Sequence, residues 1–89
     1  MKENMEDKYF TYVLISQKNS RFYIGQTNNI EKRLQQHNFG KVNSTKPYIP
    51  YKLVYLEKFL TKNEAVRREK ELKATNGRRF LRKILKISN

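Results

Sequence analysis

Cysteine is absent from the 89 residues, so neither a disulfide framework nor a cysteine-based zinc site can form. A single histidine is too few for a zinc cage. Any metal must then be a hard cation on oxygen ligands, which points to Mg²⁺ or Mn²⁺. Acidic residues are also scarce: 8 Asp+Glu stand against 20 Lys+Arg, a net charge of +12. A chain this small and basic suits a polyanion, because each phosphate it neutralises releases condensed counterions. A membrane surface fits less well, since no segment joins a long apolar face to basic flanks. Nothing approaches the roughly 20 apolar residues of a membrane-spanning helix. The N-terminus, with Glu3, Glu6 and Asp7, lacks the apolar stretch of a signal peptide. The expectation is one soluble, cytoplasmic domain with a thin core, whose partner is nucleic acid.

Residues 1–8 are polar and without period, and read as a frayed tail, as do 87–89. Residues 9–16 are aromatic and β-branched, which favours a strand. Gln17-Lys18-Asn19-Ser20 breaks it, and 21–25 resumes as the second arm of an antiparallel hairpin. Alternation places Phe10, Tyr12 and Leu14 on one face and Thr11, Val13 and Ile15 on the other. Both faces are largely apolar, so helices should cover much of the sheet. Gly25 ends the second strand, either for backbone relief or because a substrate or backbone approaches closely there. Asn28, with Glu31 three residues on, has the spacing of a capping box for a first helix. Ile30 and Leu34 form its buried stripe, and Arg33 and His37, also four apart, share an adjacent face. Gly40 suits a left-handed cap.

Residues 41–51 form a loop with two prolines. Lys41, Ser44, Thr45 and Lys46 there either contact phosphates or belong to a solvated connector. Residues 52–59 read as a third strand. Thr61-Lys62-Asn63-Glu64 matches a capping box and opens a helix running to about Ala74. A break at Asn76-Gly77 precedes a last helix over 78–86. Its Phe80, Leu81, Ile84 and Leu85 should face inward, with Arg78, Arg79, Arg82, Lys83 and Lys86 outward as a phosphate-binding surface. The fold class is α/β (α+β): a small three-stranded, mainly antiparallel sheet flanked by helices, in the order β-β-α-β-α-α, spanning 9–86.

Five carboxylates lie beyond the N-terminal tail. Glu31 and Glu64 sit at capping positions. Glu57 lies on a strand whose orientation alternation leaves open, and Glu71 should face solvent near Arg67 and Arg68. Glu69 falls among Ala65, Val66 and Leu72, within the inward stripe of its helix. A carboxylate taken out of water needs a cation or donors. Two partners fit: an internal salt bridge, for example to Arg33, or a metal ion. Tyr12 and Tyr23 suit core aromatics, and a lone histidine suits a structural role, as readily as they suit chemistry.

Taken as an ordered set, these residues resemble the GIY-YIG nuclease superfamily, closest to its small stand-alone bacterial branch. The first signature tripeptide appears as Phe10-Thr11-Tyr12, which keeps only its tyrosine, and the second is intact as Tyr23-Ile24-Gly25. Arg33 matches the arginine of the first helix, His37 the histidine or tyrosine one turn later, and Glu69 the metal-binding glutamate of a later helix. Phe10 replaces the family's first glycine, Gln26 stands where some relatives carry lysine, and Asn76 is the nearest counterpart of a late asparagine. The resemblance implies Mg²⁺- or Mn²⁺-dependent hydrolysis of phosphodiesters in double-stranded or branched DNA, in repair or processing, with weak or structure-based selectivity. Glu69 would hold the metal, Arg33 would stabilise the phosphoryl oxygens, and Tyr12, Tyr23 or His37 would serve as base. Lys41, Lys46, Arg78, Arg79, Arg82 and Lys83 would bind the backbone. A non-catalytic nucleic-acid-binding module of the same fold, or a basic protein associated with RNA or the ribosome, uses the same charge. Neither needs Tyr12, Tyr23, Arg33, His37 and Glu69 together.

Overall fold

β-branched and aromatic residues crowd two stretches near the N-terminus and one after the prolines, and these become the sheet. The elements of the computed structural model, which describes residues 8–86, are β1 (Tyr9–Ser16), β2 (Phe22–Thr27), α1 (Ile30–Asn38), β3 (Tyr51–Phe59), α2 (Lys62–Lys73) and α3 (Thr75–Leu85). A 3-10 turn at Lys46–Tyr48 interrupts the α1–β3 connection. Residues 1–7 and 87–89, read above as tails, lie outside the described residues.

β1 is the central strand, antiparallel to both neighbours in the order β2-β1-β3. Tyr12 lies opposite Gly25 and Leu56, and Val13 opposite Ile24 and Tyr55. Both faces of β1 are covered, as its two apolar faces require. On one, Tyr12, Leu14 and Tyr51 pack with Ile30 and Leu34 of α1. On the other, Val13 and Ile24 pack with Leu72 of α2 and Leu81 of α3. The Thr11 hydroxyl donates to the Ala65 carbonyl at 2.7 Å, seating α2 on β1. Asn38 ties the end of α1 to β3: its Oδ1 accepts from Tyr51 N at 2.7 Å and its Nδ2 donates to Tyr51 O at 3.1 Å. Phe10 forms regular pairs with Thr27 and Lys58, so losing the family's first glycine leaves the strand intact.

Helix ends follow local chemistry, with two corrections. The Thr61–Glu64 capping box is present in both directions, and Gly40 takes the left-handed conformation at φ +78°. The α1 cap, however, is Asn29 rather than Asn28: its Oδ1 accepts from Lys32 N at 3.1 Å. The cause is β2, which continues past Gly25 to Thr27 because Thr27 pairs with Phe10. The helix therefore starts one residue later, and Glu31 does not close a capping box.

The second correction concerns Gly77. The α2–α3 break falls at Ala74, and Gly77 lies inside α3. A Cβ at Gly77 would come within 2.1 Å of the Glu71 carbonyl oxygen and 2.5 Å of Leu72 Cα. The glycine serves close helix–helix packing rather than chain reversal. The inward face of α3 is also narrower than periodicity suggests. Leu81 is buried and Leu85 half-buried, but Phe80 and Ile84 are 39% and 41% exposed. With α2 this close on one side, α3 has room to bury only one row of side chains.

Glu57 points toward α2. Its two oxygens take Arg68 Nε at 2.8 Å and Arg68 Nη2 at 3.1 Å, and the Tyr55 hydroxyl also bonds it. Burial alone would raise the Glu57 carboxyl, but Arg68 and Tyr55 together outweigh it and hold the carboxyl below its usual range. Glu71, exposed, joins the same guanidinium at 3.1 Å.

Candidate functional site

Tyr12 and Tyr23 come from neighbouring strands, on the face of the sheet that α1 covers. Strand pairing sets Tyr12 beside Gly25, where a Cβ would come within 2.6 Å of Tyr12 Oη. The glycine therefore clears space for the Tyr12 ring, a side chain rather than the substrate or backbone weighed above. Arg33 and His37, one turn apart on α1, reach the same phenol. Tyr12 Oη lies 3.1 Å from His37 Nε2, and Arg33 Nε donates to Tyr12 Oη at 3.4 Å. The Tyr23 ring stands 4.8 Å from the imidazole and 6.2 Å from the Tyr12 ring, centroid to centroid. Four of the five polar positions singled out in the sequence thus meet in one cluster.

Glu69, the fifth, approaches from α2. Its side chain is 20% exposed, so it neither faces bulk solvent nor is sealed. Among the described residues its ion pair is with Lys73, Nζ to Oε2 at 2.6 Å. The internal partner is therefore the lysine one turn along its own helix, not Arg33, whose guanidinium is engaged by Tyr12 and Gln36. The Glu69 charge still acts on Tyr12, raising its phenol.

Two groups are displaced from their ordinary titration ranges. Burial is the main cause that pushes the Tyr12 phenol up to about 12; the Arg33 hydrogen bond pulls the other way without reversing it. His37, 0% exposed, is lowered to about 4, mainly by burial and secondarily by the Arg33 charge. Both groups are neutral at pH 7. For His37 the folded value lies below the unfolded one, near 6.5. The stability linked to it is complete above about pH 6.5 and is lost as pH falls toward 4, roughly 3 kcal/mol in all. In an NMR titration the only imidazole in the chain should therefore turn over near pH 4. A midpoint near 6.5 would mean that the ring is open to water.

The sequence reading missed Gln36 here and gave Thr45 a different role. Gln36 accepts from Arg33 Nη1 at 3.1 Å and orients the guanidinium; its i,i+3 spacing from Arg33 was a usable signal. Thr45, weighed above as a phosphate contact, is instead 1% exposed, with its Oγ1 2.9 Å from His37 Nδ1, a contact between a helix and a loop that no local pattern announces. An open cleft of about 520 Å³ lies against Arg33, lined also by Gln26, Asn29, Lys32, Gln36 and Lys62. Lys32 and Lys62, exposed, bring two more cations to it.

The basic residues singled out for phosphate binding are all exposed but do not share one surface. Lys41 and Lys46 lie in the loop after α1, which packs against the Tyr12 face of the sheet. Arg78, Arg79, Arg82 and Lys83 ride on α3, which packs against the opposite face. Among the described residues no helix is long and apolar enough to cross a membrane.

The model of the GIY-YIG catalytic domain matches residues 8–83. A UPF0213 protein of Bacillus licheniformis is 41% identical over 81 residues, covering 86% of this chain and 84% of its own length. A UPF0213 protein of Staphylococcus haemolyticus is 41% identical over 78 residues, covering 86% and 94%. Among solved structures, the solution structure of the UPF0213 protein BH0048 from Bacillus halodurans superposes with a TM-score of 0.52 at 29% identity. It covers 85% of this chain and 83% of that one.

Proposed function

From the premise that this chain belongs to the GIY-YIG catalytic-domain family, a nuclease superfamily, we propose that it hydrolyses phosphodiester bonds in DNA with a divalent cation held at Glu69. The observation that carries this reading is the convergence of Tyr12, Arg33 and His37 in one hydrogen-bonded chain beside a cation-lined cleft. Phosphate gripping alone does not call for a buried phenol–imidazole pair joined to an arginine.

The donor set suits a water-rich ion. Among the described residues no three His, Cys, Asp or Glu side chains gather to cage a metal. Glu69 offers a partly exposed carboxylate already paired with one cation, the Lys73 ammonium. One carboxylate, with water and substrate phosphate completing the shell, is a usual way to hold Mg²⁺, and Mn²⁺ favours the same oxygen donors. When bound there, the ion supplies charge neutralisation at the phosphate and the leaving oxygen.

Arg33 turns from Tyr12 to the phosphate, a move its long 3.4 Å hydrogen bond makes inexpensive. That releases a lone pair on Tyr12 Oη for the attacking water. The water gives one proton to Tyr12 Oη as the Tyr12 proton passes to His37 Nε2, leaving hydroxide, a neutral phenol and an imidazolium. Burial chiefly lowers His37, and pairing Arg33 with phosphate weakens the lesser contribution, the repulsion from the Arg33 charge. Tyr23, half-buried beside the His37 ring, orients the water.

The test is incubation of the wild-type chain with supercoiled plasmid, branched and single-stranded DNA in Mg²⁺ or Mn²⁺. Binding without cutting on every substrate would leave the non-catalytic module standing instead. A paired Arg79→Ala/Lys83→Ala change should weaken binding alike on all sequences and flatten log K against log salt by about 2, near 0.9 per lost phosphate contact. Loss confined to one sequence would show that α3 reads bases, contrary to this proposal.

A further inference from the structure

The proton path just described needs His37 Nε2 free to accept, and nothing within α1 ensures that. A neutral imidazole carries one proton on either nitrogen, and the hydrogen bond at one nitrogen decides the state of the other. At His37 that partner is Thr45. Thr45 is 1% exposed and sits in the loop just before the 3-10 turn. Backbone bonds hold it in place: Thr45 N donates to Val42 O at 3.1 Å and Tyr48 N donates to Thr45 O at 3.0 Å.

Counting donors and acceptors selects one arrangement. Arg33 can only donate, so Tyr12 Oη accepts from it. Suppose Nδ1 of His37 carries the proton. It then donates to Thr45 Oγ1 at 2.9 Å, the Thr45 hydroxyl donates onward to Val42 O at 3.3 Å, and Tyr12 donates to Nε2 at 3.1 Å. Every link is used. Suppose instead that Nε2 carries the proton. Tyr12 Oη then faces two donors, its own proton has no acceptor in this network, and Thr45 must turn away from Val42. A buried donor left without a partner is costly, so the first arrangement wins.

We propose that Thr45 is a positioning residue: its hydroxyl takes the His37 Nδ1 proton and thereby fixes the tautomer whose Nε2 accepts from Tyr12. The claim about catalysis rests on the nuclease reading above; the claim about the tautomer does not. Thr45 touches no substrate and acts only through His37. A comparable loss of an orienting partner in other sites costs 10–100-fold.

The test uses the untagged protein, whose only imidazole is His37, in ¹⁵N spectra at pH 7. Wild type and Thr45→Ser should show a protonated Nδ1 and a bare Nε2, and Thr45→Val the reverse. On the DNA probes named above with Mg²⁺, Thr45→Val should lose about 10–100-fold in kcat with KM nearly unchanged, and Thr45→Ser should stay within about threefold. A wild-type spectrum with the proton on Nε2 overturns the proposal, whatever becomes of the variants' folding. So does a Thr45→Val spectrum matching wild type, or a Thr45→Val protein cutting at the wild-type rate. A wild type that cuts nothing sinks the nuclease reading, while the spectra still decide the tautomer.

Discussion

Glu69→Gln should lose cleavage by about a thousandfold or more, roughly 4 kcal/mol of transition-state stabilisation, while keeping its fold and its grip on DNA. The substitution preserves shape and removes charge. A neutral amide is a poor ligand for a hard cation, and among the described residues no group of three or more His, Cys, Asp or Glu side chains stands ready to take over. DNA affinity should stand because it rests on the Lys/Arg excess, 20 against 8 acids. Folding should change little, since the lost Lys73 pair is an exposed i,i+4 pair worth about 0.5 kcal/mol. Three measurements check this: cleavage of plasmid, branched and single-stranded DNA with Mg²⁺ or Mn²⁺, anisotropy of labelled DNA, and a thermal melt. A variant cutting within tenfold of wild type would remove Glu69 from the chemistry.

Gly77→Ala should destabilise the domain by about 3 kcal/mol, a fall in Tm on the order of 15 °C. Helix propensity argues the opposite: alanine beats glycine inside a helix by about 1 kcal/mol. Packing overrides it. The new methyl would come 2.1 Å from Glu71 O and 2.5 Å from Leu72 Cα, both backbone atoms that cannot rotate aside. α3 would have to lift off α2 and take Leu81 out of the core it shares with Val13, Ile24 and Leu72. Small domains hold only about 5–15 kcal/mol in total, so such a loss is severe. Calorimetry or a urea series on the variant measures it. A Tm equal to or above wild type would show that the two helices are not in close contact at Gly77.

Much of the architecture was legible because its causes are local. β1 and β3 follow from runs of β-branched and aromatic residues. The Thr61–Glu64 box and the Gly40 cap depend on atoms within four residues of each other. Where a neighbour from elsewhere intervened, local rules slipped. Asn28 lost the cap to Asn29 because β2 pairs with β1 out to Thr27. Gly77 read as a break and is a contact. Phe80 and Ile84 have the spacing of buried residues, yet α3 meets its neighbours along too narrow a line to cover them.

The order of strands and helices, the excess of positive charge and most of the candidate side chains came from sequence alone. Each depends on residue type or on spacing within one or two turns. Only the tertiary structure decided that Tyr12 Oη lies against His37 Nε2, that Thr45 sits on the far side of that ring, and that Glu69 pairs with Lys73. It also decided that α3 carries its cations on the opposite side of the sheet from Tyr12. These are contacts and placements set by how far one element slides or tilts against another, and a linear order of residues does not encode that distance.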